Sequence, residues 1–504
     1  MPFASMEALP VSPTGRICFP VTFRKGGLPL RKLSVLALIM LWLALYLAAA
    51  QTVQRLTHQP PDGAGIGFLL TDGTLMFQGN AESDWWKLTP DITGSYLNGT
   101  WSKLAGLPAG YVPDAFASAV LADGRLIIEG GEYLNGNFTL TNQGAIYDPA
   151  ANTWTTVEPP TGWSYIGDSP ALVLPNGVFV MGDKLTKHMA ALDPKTMTWS
   201  ALNSSGKADF NAEEGWTLLP DGSILTADVK DAPNSEIYTP SQHQWASAGS
   251  TIVDLHSPSP FGCIPYGPGG RLCYYPPGEI GPAILRPDAT VFATGGTPKG
   301  GTSGNTSVYD TATGIWTPGP SFPTGEDAGD SFAVLLTSGD VLVESESGNS
   351  YVFDGTNLTK GPQTPGSLIV LPTGEVLVGG FEIYTSTGTY QASWAPTISS
   401  YPTTVVRGSS YTISGTQFNG LSQAASFGDE FQTATNYPLV RITNNGTGHV
   451  FYAKTHDHST MGVATGSTPV STHFDVPASM ETGASTLEVV ANGIPSTAVS
   501  ITVN

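Results

Sequence analysis

The sequence predicts an all-β chain: seven sheet-forming repeats that close into a propeller, followed by a small β-sandwich. Three observations predict it. A tight turn leading into an apolar strand recurs seven times, at intervals of 35 to 67 residues. A Tyr-Asp…Trp segment follows most of these turns, and both patterns stop near Trp394-Ala395-Pro396. Composition agrees, since Gly (59) and Pro (40) are abundant and only 12% of the 504 residues are charged, while 40% are hydrophobic. That is enough apolar content for a packed core, with the turn residues that many short strands need.

Residues 1–50 read as a leader. Arg24, Lys25, Arg31 and Lys32 precede an apolar run from Leu33 to Ala50 that ends Ala48-Ala49-Ala50 before Gln51. This is the pattern of a signal peptide with a small-residue cleavage site. The run also approaches membrane-spanning length, so an uncleaved N-terminal anchor is the other reading. Basic residues on its N-terminal side put the remainder outside the cytoplasm in both cases, secreted, periplasmic or at the cell surface. The leader holds five of the 21 lysines and arginines and one of the 41 acids, which leaves a net charge of −24 on residues 51–504. Such a chain has no basic patch for a phosphate backbone, which excludes nucleic acid and anionic lipid surfaces as partners.

Residues 51–395 carry the repeats. The turns are Asp72-Gly73, Asp123-Gly124, Asn176-Gly177, Asp221-Gly222, Asp288-Ala289, Ser338-Gly339 and Thr373-Gly374. Asx-Gly joins antiparallel strands because glycine tolerates the positive φ of a tight hairpin. Gly130-Gly131, Gly295-Gly296 and Gly379-Gly380 close three of the strands that follow. The second motif runs Tyr147-Asp148 to Trp154, Asp193 to Trp199, Tyr238 to Trp245 and Tyr309-Asp310 to Trp316. Gly-Gly, Tyr-Asp and Trp in this order resemble a kelch repeat. The resemblance implies seven four-stranded blades, with the aromatics packing blade on blade and the segment after Gln51 completing the last one.

Residues 396–504 alternate apolar and polar positions between turn clusters, as in Ser410–Gly415 and Leu439–Asn444, which predicts a sandwich of short strands. Pro396–Pro402 through Ile413–Phe418 resembles the opening of an early-set, immunoglobulin-like domain. A kelch propeller followed by such a domain resembles the galactose oxidase and glyoxal oxidase family. The likeness is most specific at Thr306–Pro320, Thr455-His456, Phe474–Pro477 and Gly493–Ser496.

That family's resemblance implies a copper-radical site: a Tyr cross-linked to a Cys, a second Tyr, and two His, one of them from the early-set domain. The matching positions here read otherwise. Asp327–Phe332 has no Tyr where the cross-linked one is expected, the region of Ile280 has no Cys, and Thr364-Pro365-Gly366 stands where Tyr-His is expected. His456 or His458 alone fits the early-set ligand. A copper-radical cofactor is therefore not expected, and carbohydrate handling remains the implied substrate class.

The residues suggest other chemistry. A carboxylate precedes the innermost strand of five successive repeats: Asp114, Asp168, Glu213 with Glu214 beside it, Glu279 and Asp330. Two readings are open, polar residues that cap strand starts in water, or a negatively charged funnel for a metal ion, a cationic group or a sugar. His456 and His458, two apart in a strand, share a face and could address one metal ion, with the carboxylates favouring Zn²⁺, Mn²⁺ or Fe²⁺ over Ca²⁺. No cofactor is fixed by the sequence beyond that possible divalent metal. Cys18 lies in the leader, so Cys263 and Cys273 are the one remaining pair, expected as a disulfide in an exported chain. Around them Phe261, Tyr266, Tyr274 and Tyr275 form either an aromatic lip for sugar rings or the packing of their own loop. The favoured function is a secreted, non-catalytic binding or scaffold protein for carbohydrate or cell-envelope material. The alternative is a carbohydrate-active enzyme, a divergent metal-dependent oxidase or a carboxylate-using hydrolase or lyase.

Overall fold

The computed structural model describes residues 51–258, 262–266, 270–274 and 278–504, the two short middle stretches by backbone alone. The leader lies outside the described residues. The fold class expected from sequence is the one observed, a β-propeller joined to a β-sandwich.

Seven four-strand antiparallel meanders succeed one another along the described residues. Their first strands are Gly67–Leu69, Ala117–Val120, Ala171–Val173, Thr217–Leu218, Ile280–Leu285, Ala333–Leu335 and Leu368–Val370. These short, apolar strands pack against those of neighbouring sheets round a common axis, and the last lies beside the first. The seventh sheet takes its outer strand from the start of the propeller, with Thr52–Arg55 pairing antiparallel to Glu382–Thr385. That hydrogen-bonded closure removes a free sheet edge.

The repeat motifs show why these residues make these elements. In the first turn the Asp72 carboxylate accepts from the Thr74 amide at 3.0 Å, and Gly73 takes φ +74° so that its amide reaches the Leu70 carbonyl at 3.0 Å. Asp123, Asn176, Asp221 and Asp288 repeat the same carboxylate or amide bond. In the outer strands each motif tryptophan donates to the preceding sheet: Trp154 to the Ala105 carbonyl at 3.1 Å, Trp199 to that of Glu158 at 2.7 Å, Trp245 to Met189 Sδ at 3.0 Å and Trp316 to Ser235 Oγ at 2.8 Å. The indoles thus fill the wedge between sheets and satisfy their only donor there.

The sandwich strands, including Ser410–Thr416, Leu439–Asn444, Val450–His456, Val470–Asp475 and Gly483–Ala491, enclose a core of Val405, Ile413, Phe418, Val440, Phe474 and Leu487. It rests on the turn end of the propeller. The amides of Thr455, His458 and Met461 donate to the carbonyls of Thr71, Ala122 and Pro175, all beside hairpin turns.

One segment departs from this arrangement. Between Thr416 and Leu439 the chain leaves the sandwich and runs into the propeller. Ala425–Ser426 pairs with Ala333 and Val334 as a fifth strand of the sixth sheet. Gln423 Oε1 accepts from the Leu218 amide at 2.7 Å, and the Gln432 carbonyl accepts from Ser118 Oγ at 3.3 Å. Contacts to the first strands of the second, fourth and sixth sheets put this segment on the axis. Phe427 packs on Phe332 and Phe431 on Phe116, anchoring it by its aromatic side chains. Long connections with almost no secondary structure of their own are commonly functional.

Candidate functional site

A strand rises about 3.3 Å per residue, so the residue that precedes each first strand lies at the end of the axis away from the hairpin turns. Asp168, Glu213, Glu279 and Asp330 occupy that level on four successive sheets. Asp168 and Glu213 pair with one cation, and Glu279 and Asp330 lie within electrostatic reach of it. Lys184 Nζ lies 2.8 Å from Glu213 Oε1 and 3.1 Å from Glu132 Oε1, and it also pairs with Asp168. The axial segment adds two more acids, Asp429 and Glu430. Carboxylate oxygens of Asp168, Glu213 and Asp429 lie within 4.8 Å of one another. Asp168, Glu213, Asp429, Glu430 and Lys184 are buried, Glu132 and Glu279 are half-buried, and Asp330 is exposed. The acids therefore grade from a dry floor to an open mouth.

Their protonation follows from that geometry. Burial alone would discharge Lys184, but Asp168, Glu213, Glu132 and Asp429 together hold its pKa above the usual lysine value. Burial pushes Glu213 up to about 8 against the pull of Lys184. Burial, then the charges of Glu213, Asp330 and Asp429, pushes Glu279 up to about 10. Asp330 reaches water, but the protein around it partly desolvates it and Asp429 repels its charge, so its pKa rises to about 7. Asp429 goes the other way. Burial opposes its charge, yet hydrogen bonds from protonated Glu430 and Glu213 and the Lys184 ammonium hold its pKa low. Near neutral pH the site thus sets neutral carboxyls, which donate, beside ionised ones, which accept. One oxygen each of Asp168 and Asp429 is buried without a hydrogen-bond partner among the described residues.

The donor set decides what can bind. Carboxylates with one ammonium are hard oxygen donors, whereas a copper-radical centre needs imidazoles and phenolates. Thr364–Gly366 and Ile280 stand where the family resemblance would put a Tyr-His pair and a Cys, so the residues do not fit that cofactor.

Two of the expected acids are not in this cluster. The Asp114 carboxylate accepts from the Ala115 amide and acts on Glu82, whose pKa burial and then Asp114 raise. Glu214 turns into the fourth sheet, because Glu213 sits in a turn at φ +59°, and that left-handed backbone redirects the chain between the two side chains. There it meets Lys207 Nζ at 2.7 Å, and that lysine also binds Asp209 at 3.2 Å and Glu236 at 2.8 Å. Asp228 completes this second buried cluster. Among the described residues neither of its oxygens has a hydrogen-bond partner, and burial followed by Glu236 and Asp209 raises its pKa to about 8.

The histidines are also elsewhere. The strand Val450–His456 ends at His456 and Asp457 takes φ +50°, so His458 does not share a face with His456. His458 is buried, stacked on Tyr437 with its Nδ1 2.8 Å from Thr472 Oγ1, and burial drives its pKa down to about 3. Its amide bonds to Ala122, beside a hairpin turn, so it lies at the opposite end of the axis from the acids. Phe261 and Tyr275 lie outside the described residues. Tyr266 and Tyr274 are described by backbone alone, as are Cys263 and Cys273, which face each other in the antiparallel pair Gly262–Tyr266 and Gly270–Tyr274.

Sequence reasoning missed Lys184, Glu132, Asp429 and Glu430. A signal existed for all of them but Glu132. The third sheet reads Gly182-Asp183-Lys184 where others have Gly-Gly, and Phe427-Gly428-Asp429-Glu430-Phe431 is an acidic pair between two aromatics in a stretch without strand alternation.

No protein-family model matches the chain, and comparison with curated proteins finds no match. Among solved structures, the chain is similar to a fungal alcohol oxidase of the AA5 family in complex with copper, at 13% identity over 91% of this chain and 100% of that one, TM-score 0.47. It is similar to virginiamycin B lyase from Staphylococcus aureus at 12% identity over 66% and 97%, TM-score 0.43. A third is the extracellular domain of a putative hybrid two-component system from B. thetaiotaomicron, at 11% identity over 91% and 60%, TM-score 0.45. Likenesses at this level bear on neither substrate nor reaction.

Proposed function

We propose that the chain is a secreted kelch-type propeller protein that binds a hydroxyl-rich ligand, carbohydrate or cell-envelope material, at the axial acid mouth, without copper-radical oxidase activity. The observation that carries this reading is the convergence of Asp168, Glu213, Glu279 and Asp330 with Asp429 and Glu430 around Lys184. A sugar hydroxyl both donates and accepts, and neutral carboxyls set beside ionised ones offer both partners at fixed positions. Lys184 offsets part of the charge, so the floor holds its shape without a ligand. The signal-like leader and the net charge of −24 on the rest suit an exported protein that avoids anionic surfaces.

The split in protonation favours one second reading. A carboxyl that keeps its proton to about pH 8, Glu213, beside an ionised one, Asp429, is the arrangement of a general acid and base in a hydrolase or lyase. A single experiment separates the readings. The purified protein is assayed for metal content, for peroxide release on a sugar and alcohol panel, and for new reducing or unsaturated ends on polysaccharides. Retention on a polysaccharide without any product supports binding; a product abolished by Glu213→Gln supports the second reading; copper-dependent peroxide overturns both.

A further inference from the structure

The strand pairing that separates His458 from His456 gives His456 a different partner. His456 and His473 are directly opposed on the antiparallel strands Val450–His456 and Val470–Asp475. Their rings stack with centroids 5.6 Å apart and planes 19° from parallel. Asp457, at the turn that ends the first strand, brings a carboxylate oxygen to 2.7 Å from His456 Nδ1. Donor atoms of His456, His473 and Asp457 all lie within 4.8 Å of one another. On the far side of the same ring, Asp475 Oδ1 lies 3.2 Å from His456 Nε2.

We propose that His456, His473 and Asp457 form a surface transition-metal site, of the class that takes Zn²⁺, on the sandwich and apart from the axial acids. Three arguments carry it. Two imidazoles and a carboxylate are the donor set that suits Zn²⁺, and Ca²⁺ and Mg²⁺ prefer oxygen alone. Bonds of about 2 Å require donors about 3–4 Å apart, which small side-chain rotations deliver from the spacing seen. The carboxylate on each side of His456 lets one ring nitrogen ligate while the other donates to its carboxylate, an outer bond that orients ligating histidines. Asp457 is exposed, so a fourth position stays open to water or to a ligand group from outside.

The test is calorimetric titration of the full chain with Zn²⁺ in the presence of millimolar Ca²⁺, which occupies oxygen-only sites. One Zn²⁺ should bind. His473→Gln and His456→Gln should each weaken it on the order of tenfold or more, and Asp475→Asn by about tenfold through the lost orienting bond. His449→Gln, at a histidine paired with Glu481 instead, should leave the affinity unchanged. Asp330→Asn, in the axial mouth, should also leave it unchanged, which keeps this result separate from that of the mouth. Absence of Zn²⁺ binding overturns the proposal, as does binding unchanged in both histidine variants. Because two ligands are tested separately, misfolding of one variant leaves the other to decide.

Discussion

Gly215 and Gly428 pass so closely that a β-carbon on Gly215 would stand 2.3 Å from the Gly428 carbonyl oxygen. This contact seats the axial segment against the fourth sheet, one residue before Asp429 and two residues after Glu213. Gly215→Ala must therefore displace the backbone that delivers Asp429. Thermal or denaturant unfolding should show a loss of about 1–3 kcal/mol, with weaker ligand binding than a surface control. An unchanged midpoint would mean that the segment is not held at the axis.

Among the described residues, Lys184 is the one cation paired with the axial acids. Lys184→Met leaves buried, ionised Asp429 without its countercharge, and should cost about 3–5 kcal/mol at pH 7.5. Lowering the pH protonates the carboxyls that lost their partner, so the deficit should shrink toward pH 5. A deficit independent of pH would point to lost packing instead.

The raised acids also set the pH dependence of the wild type. Glu213 and Asp228 are raised to about 8 and Glu279 to about 10, against ordinary values near 4. The folded state therefore holds protons that the unfolded chain has released. Their stabilising contribution is complete below about pH 4 and is lost as the pH rises through 8 to 10. The melting temperature should climb as the pH falls from 9 to 6, and Asp228→Asn should flatten part of that slope. The lowered pKa of Asp429 acts in the opposite direction, but only in the acid range.

What the sequence disclosed was whatever is local. The Asx-Gly turns and the motif tryptophans each depend on a few neighbouring residues, so both were legible. The level of Asp168, Glu213, Glu279 and Asp330 was legible too, because each stands nine or ten residues before the second residue of its hairpin turn. Asp429 and Lys184 were not, since one arrives from a different domain and the other from the turn that follows Phe179–Gly182, the second strand of its sheet. The pairing of His456 with His473 was hidden for the same reason, because strand partners are chosen by tertiary structure. Glu214 misled because it adjoins Glu213 in sequence and faces the opposite way.

Ala289 stands where the other hairpin turns favour glycine, at φ +62°. A left-handed residue with a β-carbon is strained there, so Ala289→Gly should stabilise the protein by up to about 1 kcal/mol, read from its unfolding midpoint.

Cys263 and Cys273 stand opposite each other in antiparallel register. A disulfide between them closes a short loop and should contribute about 3 kcal/mol, felt locally. Mass spectrometry of a non-reduced digest should recover the two linked peptides; free thiols at both positions would contradict the pairing.

The reading of the axial acids as a ligand site is tested most directly by binding. Wild-type protein and the Glu279→Gln/Asp330→Asn double variant are titrated calorimetrically with the oligosaccharide or envelope polysaccharide that a soluble panel selects. Both substitutions lie at the mouth, preserve shape and replace carboxyls whose pKa the fold raises, so the fold should hold and the melting temperature at neutral pH should not fall. The wild type should bind, and the double variant should lose affinity on the order of tenfold or more, the cost of two lost hydrogen bonds to a ligand. Equal affinity in the two proteins, or no ligand for the wild type across the panel, would contradict it.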